Sequence, residues 1–500
     1  MKIYDTLAQE TREFTPLRDK KVTMYVCGPT VYDYPHLGHA RCYITWDMVV
    51  RYFRFAGYDV TYARNITDVD DKIINKALEN GVSPQEIAEK YYHEFKKAMV
   101  ELNVAEPDIE PKATENIAGM VEIIKSLIGK GFAYSVGGDV YFRVTKYKKY
   151  GRLSKQSTDD LESGARIEPH ERKEDTLDFA LWKAVKSENE PGWDSPWGKG
   201  RPGWHIECSA MVNKYLGDTI DIHAGGQDLI FPLHENEKAQ SEAAFDRPFV
   251  NYWMHNGFVL INEEKMSKSL GNFITIKDIL DKFDSNTIRF FILTNHYRMP
   301  IEFSNEGLNA AKAGVKRLKN AVDDVKTLLG EEKITDAREI IDIITDEIVK
   351  TGSLPFHEID KMQHLENRIP AEIIESLIKE LKSFINAMDG DFNTSKALAT
   401  LFEIANCAQR HKDSETPANS AFFTALLIRL SEVMGFDMTK YEIPNDSVVS
   451  KLMDLVIDLR ARARAEKNWE VSDKIRGELT KTGITIKDHK DGSTSWSFNR

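Results

Sequence analysis

The chain has 500 residues, 41% hydrophobic and 29% charged, with a formal net charge of -12. That length exceeds one ordinary core and predicts roughly two to four domains, and the composition is that of a soluble globular protein rather than a fibrous or disordered one. The acidic balance excludes a surface coated in nucleic-acid-binding charge, while a local basic face can still sit on an acidic body. Four cysteines, Cys27, Cys42, Cys208 and Cys407, show no paired spacing, which predicts a reducing compartment rather than a disulfide framework. Met1-Lys2-Ile3-Tyr4-Asp5-Thr6 is not an apolar signal region, and no run reaches the ~18 apolar residues of a membrane span. A cytoplasmic location without membrane is expected.

The first informative stretch runs from Cys27-Gly28-Pro29-Thr30 through His36-Leu37-Gly38-His39-Ala40-Arg41. Val22 to Val26 predicts a strand, Gly28-Pro29 a turn, and the apolar pattern from Tyr43 to Phe55, closed by Gly57, a helix. A helix N-terminus offers free N–H groups and partial positive charge to phosphate. Gly38 leaves room for a ligand, and His36 and His39 can donate to its oxygens. Alone, the tetrapeptide is equally compatible with plain structure. Asp59 to Ala63 predicts a second strand. Asp68, Asp70 and Asp71 read as the start of a helix reaching Gly81 in preference to a metal site. Ser83-Pro84-Gln85-Glu86 is a capping box opening a helix through about Leu102. This alternation predicts a doubly wound, parallel-sheet α/β domain of Rossmann type.

Residues of about 104–175 break the pattern and read as an insertion with a hairpin between Gly131 and Val144. Arg201-Pro202-Gly203-Trp204-His205-Ile206-Glu207-Cys208-Ser209 leads into a helix through Leu216. Thr219 to His223 then predicts a strand ending in the Ala224-Gly225-Gly226-Gln227-Asp228 turn, and Phe231-Pro232-Leu233-His234-Glu235-Asn236-Glu237 begins the next helix. The opening logic repeats, and such folds bind ligands at the strands' carboxyl ends. Lys265-Met266-Ser267-Lys268-Ser269, on a loop ending at Gly271, suits a segment that neutralises polyphosphate. From Ile276 helical periodicity dominates, over 307–330, 336–351, 371–388 and 394–411, with an arginine-rich helix over 448–481 and a tail that is a strand or disordered. The predicted domains are 1–260, the α/β domain with its insertion; 261–306, a loop-bearing connecting region; 307–445, an all-α bundle; and 446–500, a C-terminal extension.

His36-Leu37-Gly38-His39 together with Lys265-Met266-Ser267-Lys268-Ser269 resembles the signatures of class I aminoacyl-tRNA synthetases. Cys27-Gly28-Pro29-Thr30-Val31-Tyr32-Asp33, Asn65-Ile66-Thr67-Asp68-Val69-Asp70-Asp71-Lys72-Ile73, Gly203-Trp204-His205-Ile206-Glu207-Cys208 and His234-Glu235-Asn236-Glu237 narrow the resemblance to the cysteinyl-tRNA synthetases. The resemblance implies that L-cysteine and ATP form cysteinyl-adenylate, and that the cysteinyl group passes to the 3′ end of tRNA(Cys). It implies phosphate contacts from His36, His39, Lys265 and Lys268, and an ATP site completed by Pro29, Thr30, Gly38, Asp228 and Ser267, with Mg²⁺ accompanying ATP. Gly28, Thr67, Trp204 and His223 would bind cysteine beside Cys27. Trp469, Asp473 and Arg476 would contact tRNA, and the expected state is a monomer.

The resemblance also implies one zinc ion per chain. Cysteine and serine differ by one atom, which apolar contact discriminates poorly, whereas a thiolate is a soft zinc ligand and a hydroxyl is not. The implied ligands include Cys27, Cys208 and Glu237. The family carries two adjacent histidines after Phe-Pro, the first being the ligand; here that position is Leu233. One expectation is that His234 takes over, since His234 and Glu237 share a helix face. The other is a site of Cys27, Cys208 and Glu237 completed by water or substrate. Two further functions stay open: a ligase joining cysteine to an amino sugar through the same adenylate, and an inactive zinc- and RNA-binding paralogue.

Overall fold

The computed structural model describes residues 1–156, 173–187, 190–261, 264–266, 273–352, 369–439, 446–488 and 494–498. They form two units, Met1–Met438 and Thr439–Arg500. The chain opens with an antiparallel hairpin, β1 (Lys2–Asp5) and β2 (Glu10–Glu13), then alternates: β3 (Lys21–Val26), α1 (Leu37–Phe55), β4 (Asp59–Arg64), α2 (Asp71–Asn80) and α3 (Pro84–Glu101). The three acids after β4 are structural, as their position predicts. Asp70 caps α2 by accepting from Lys72 N at 2.9 Å, Asp68 accepts from Thr114, and Asp71 pairs with Lys183 and Arg201.

An antiparallel sheet follows helix α4 (Ile117–Gly129): β5 (Ala133–Val136), β6 (Asp139–Phe142), β7 (Phe179–Ala184) and β8 (Gly200–Pro202). This sheet runs past 175, the expected end of the insertion, because the tryptophan-rich stretch supplies its last two strands and buries Trp182 completely. Helix α5 (Trp204–Tyr215), strand β9 (Ile220–Gly226), helix α6 (Glu235–Phe245) and strand β10 (Val250–Asn256) return the chain to the first layer. There the order is β10-β9-β3-β4, all parallel. Helices cover both faces, so these strands bury near-continuous apolar runs. The chain passes from β3 to β4 on one side and later lays β9 on the other. The reversal opens a crevice at the carboxyl ends of β3 and β9.

Helices Asn305–Leu329, Glu331–Thr351, Ala371–Asp389, Thr394–Lys412 and Ser420–Val433 form the all-α region of the first unit. Its apolar side chains, among them Leu318, Phe384 and Leu430, share one core with Val22, Trp46 and Phe53. Polar clamps reinforce the junction. Asp47 on α1 meets the fully buried Arg289 at 2.5 Å, and Arg289 also donates to the carbonyls of Leu102, Asn103 and Met434. Tyr52 OH donates to Asp389 at 2.7 Å. At the other end of α1, Arg41 donates to the carbonyls of Ile292, His296, Tyr297 and Met299.

In the second unit the single helix expected over 448–481 is two, Asp446–Ala465 and Trp469–Lys481. Lys467 sits at φ +59°, and Asn468 caps the second helix by accepting from Val471 N, which periodicity alone does not reveal. The tail is a strand, β12 (Thr494–Phe498), paired with β11 (Ile484–Asp488). Arg460 holds Asp488 through two bonds of 2.8 and 2.9 Å. No helix among the described residues is long and apolar enough to cross a membrane.

Candidate active site

Strand β3 ends at Val26, and the next residues form a strip fastened to β9 on one side and to the residues that follow β4 on the other. Cys27 N donates to Ala224 O, Thr67 N to Pro29 O and Val31 N to Thr67 O. Gly28 N donates to Asn65 Oδ1 at 2.8 Å. A Cβ at Gly28 would lie 1.5 Å from the Asn65 carbonyl oxygen, so only glycine fits.

The strip leads to the start of α1. His36 N donates to His39 Nδ1 at 3.1 Å and His39 N to His36 Nδ1 at 3.4 Å, a reciprocal cap made of two imidazoles. Each Nδ1 accepts, so each neutral ring carries its proton on Nε2. The rings stack with centroids 3.8 Å apart. Both line a cavity of about 300 Å³ that also reaches Cys27, Trp204, Asp228 and Met266. One cavity therefore runs from the first cysteine to the helix N-terminus.

At the cysteine end four chain segments converge. Cys27 Sγ lies 3.8 Å from Cys208 Sγ on α5, 3.2 Å from His234 Nε2, and 3.7 Å from Glu237 Oε1 on α6. Two thiolates on one tetrahedral zinc, each ~2.3 Å from it, stand about 3.8 Å apart. The donor set of two sulfurs, one imidazole and one carboxylate thus fits a soft divalent ion in both spacing and chemistry. Ligand atoms of Cys27, His223, His234 and Glu237 all lie within 4.8 Å of one another; that group includes His223 and does not include Cys208. His223 Nε2 is 2.7 Å from Glu237 Oε2, so that imidazole holds the carboxylate oxygen turned away from Cys27. Leu233, beside His234, is buried in an apolar cluster with Met211, Phe249 and Trp253.

His234 has a second partner. Its Nδ1 is 2.8 Å from His255 Nε2, and His255 Nδ1 is 2.8 Å from Thr6 Oγ1. If His234 Nε2 accepts, Nδ1–H donates to His255, whose own Nδ1–H donates to Thr6. Burial, and after it the neighbouring His223, holds His234 well below the usual imidazole range and His255 at about 3. Both rings are neutral near pH 7, the form a ligand imidazole must take. Burial pushes the Cys27 thiol well up, with Cys208 and Glu237 adding to it. The hydrogen bond from Cys27 pulls Cys208 down, but burial and Glu237 outweigh it and leave that thiol at about 11.

Most residues expected at the site meet in this crevice. Cys27, Gly28, Pro29, Thr30, His36, Gly38, His39, Trp204 and Asp228 line the cavity. Thr67 and His223 lie buried behind it, hydrogen-bonded to Glu207 and Glu237. Lys265 pairs through its backbone with Leu260; Ser267 and Lys268 lie outside the described residues. Trp469, Asp473 and Arg476 share one face of the helix Trp469–Lys481, exposed in the second unit. Sequence reasoning missed His255, Thr6 and Glu207. Only Glu207 left a signal, an acid inside a tight apolar motif.

Comparison with known proteins agrees with this geometry. A family profile described as the tRNA synthetases class I (C) catalytic domain matches residues 13–313. The chain is 47% identical to a cysteine–tRNA ligase of Fusobacterium nucleatum over the full length of both. It is 45% identical to one of Clostridioides difficile, covering 98% of this chain and 99% of that one. The chain belongs to the cysteinyl-tRNA synthetase family. Membership makes it an aminoacyl-tRNA ligase, a family that uses ATP. A DALR domain matches 383–439, and a cysteinyl-tRNA ligase anticodon binding domain matches 454–495. Among solved structures, a leucyl enzyme of Agrobacterium radiobacter in a ternary complex with tRNA superposes with a TM-score of 0.59 at 12% identity, covering 85% of this chain and 86% of that one. A putative arginyl-tRNA synthetase of Campylobacter jejuni gives 0.55 at 13% identity, covering 86% and 96%. These last two establish the shared class I fold alone.

Proposed function

We propose that the crevice holds L-cysteine by its sulfur at the Cys27 end and ATP by its phosphates at the histidine end, so that the carboxylate meets the α-phosphorus between them. The observation that carries this is the single cavity joining Cys27 to His36 and His39. A carboxylate oxygen attacks the α-phosphorus and pyrophosphate leaves. A ribose hydroxyl at the 3′ end of tRNA(Cys) then attacks the adenylate carbonyl and AMP leaves. No protein nucleophile is required; positioning and charge stabilisation suffice. The Nε2–H groups of His36 and His39 donate to phosphate oxygens as charge grows there. Lys265 and Lys268, with Ser267, neutralise the departing pyrophosphate of an ATP that enters with Mg²⁺. Pro29, Thr30, Gly38 and Asp228 shape the nucleotide end; Gly28, Thr67 and Trp204 shape the amino-acid end. Trp469, Asp473 and Arg476 meet the tRNA.

Cys27, Cys208, His234 and Glu237 would hold zinc, which when bound supplies a soft cation that takes a thiolate and passes over a serine hydroxyl. We assign His223 to orienting Glu237 rather than to ligation, because its Nε2 is already engaged with that carboxylate. Cysteine-dependent ATP–pyrophosphate exchange and charging of tRNA(Cys) test the function. His234→Ala is expected to lose zinc and cysteine activation, whereas Leu233→Ala keeps the metal. Full zinc content and activity in His234→Ala would remove His234 from the site.

A further inference from the structure

Glu207 is a buried acid that the steps above leave without a role. It lies on α5 next to Cys208 in sequence and three residues after Trp204, a spacing that puts Glu207 and Trp204 side by side on the helix. It is 1% exposed. Its Oε2 accepts from Thr67 Oγ1 at 2.8 Å, and its Oε1 is buried with no hydrogen-bond partner among the described residues. Thr67 is held from the other side by Asn65 Nδ2 at 3.3 Å, and Asn65 Oδ1 takes Gly28 N. A short polar chain thus runs from the cavity strip through Asn65 and Thr67 to Glu207.

The other charges that bear on Glu207, those of Thr67's neighbours Asp68 and Asp70 and that of Glu237, are acidic too. A buried acid among acids calls for a cation. An amino acid fastened by its sulfur brings one: its ammonium is three bonds from that sulfur and so falls close to the metal ligands, while its carboxylate points toward the phosphates. Asp33 and Asp228 also line the cavity, but they belong to the strips carrying His36 and the Gly225-Gly226 turn, where the nucleotide lies. Glu207 adjoins Cys208.

We propose that Glu207 is the positioning residue for the substrate's α-ammonium, supplying the opposing charge and holding the Thr67 hydroxyl toward it, so that the pocket selects an α-amino thiol rather than any thiol. The proposal rests on the reading that the substrate sulfur meets a metal at Cys27. Its test compares L-cysteine with 3-mercaptopropionate, the same thiol acid without the amine, on cobalt-substituted full-length protein. Cys27 and Cys208 already give thiolate–cobalt absorption, and the change in it on adding a further thiolate reports binding of either. Wild type is expected to prefer cysteine, and Glu207→Gln to reduce that preference about 10- to 100-fold, the range of a hydrogen bond to a charged group, with 3-mercaptopropionate affinity unchanged. Thr67→Val removes the hydroxyl without touching the acid and is expected to reduce the preference in the same direction. Equal weakening of both ligands in the variants, or an intact preference, overturns the proposal. If neither thiol changes the thiolate–cobalt absorption of cobalt-loaded wild type, the metal reading falls and takes the proposal with it, an outcome distinct from lost preference.

Discussion

Replacing His255 by leucine separates a ligand from the group that steers it. Without metal, His234 in the variant can move its proton to Nε2 and share it with Cys27 Sγ at 3.2 Å, which leaves Nδ1 as a bare acceptor against the leucine. With metal, Nε2 is engaged, the proton must stay on Nδ1, and that N–H, polarised by the cation, faces the leucine where His255 Nε2 stood at 2.8 Å. The unpaired group therefore costs more in the metal-bound state, and the full penalty of an unpaired buried donor, about 1–3 kcal/mol, sets the upper limit of the loss. At ~1.36 kcal/mol per decade this is roughly 5- to 150-fold in affinity, which brackets the ~10- to 100-fold typical of groups supporting a ligand. Competition with a chromogenic zinc chelator measures it, with circular dichroism as a folding control. Thr6→Val is expected to have a smaller effect, because Thr6 is only half-buried and stands one hydrogen bond further from the metal than His255. Zinc affinity within about twofold of wild type in His255→Leu would refute the reasoning, since two- to threefold is the ordinary scatter of such contributions.

Three other outcomes are expected. Gly28→Ala must push its new methyl away from the Asn65 carbonyl, displacing the strip by ~1 Å and reducing cysteine-dependent pyrophosphate exchange about 100-fold, with the fold intact by circular dichroism. Arg289→Met leaves Asp47 buried but still paired with Arg51 at 2.9 Å; denaturant unfolding is expected to show a loss of about 3 kcal/mol, the lower end for breaking a buried pair. The hydrogen bonds from Arg460 hold the Asp488 carboxyl well below the usual carboxylate range. A depressed folded pKa means that this contribution is fully present above the unfolded value of ~3.9 and declines as pH falls from there through the lower folded value. Hydrogen-exchange protection of β11 and β12 in the full chain is expected to differ between wild type and Asp488→Asn at pH 6, and the difference to shrink steadily as pH falls below ~3.9.

Local signals carried much of this molecule. The glycine turns, capping residues and apolar runs around Cys27, Ser83 and Gly225 mark elements whose determinants lie within a few residues of one another, and the elements form there. The metal cluster was readable only in part. Cys27, Cys208 and Glu237 sit in motifs, and His234 follows from the loss of a histidine at 233, but the inward turn of position 234 shows only in the fold, where its Nε2 stands 3.2 Å from Cys27 Sγ while Leu233 packs with Phe249 and Trp253. His255 lies on β10, and the sequence around it gives no hint that its ring meets a histidine 21 residues earlier. Long-range partners of this kind, like Arg289 and Asp47, depend on which layers stack rather than on any local pattern. The break at Lys467 was hidden for the opposite reason: the helical pattern continues across a single residue in left-handed conformation.

Helix α1 has a mechanical consequence. Its 19 residues span about 28 Å at 1.5 Å each. Its far half is fastened to the helical region through Asp47 and Tyr52, and its tip carries His36 and His39. It is a lever with its fulcrum in the bundle. From Tyr52 to Leu37 the arm is about 22 Å, so a tilt of about 2.5° at the fulcrum swings the tip by roughly 1 Å, a displacement that can cost ~100-fold in rate. Load borne on the helices Ala371–Asp389 or Ser285–Thr294 is thus delivered, magnified, to the two imidazoles at the other end.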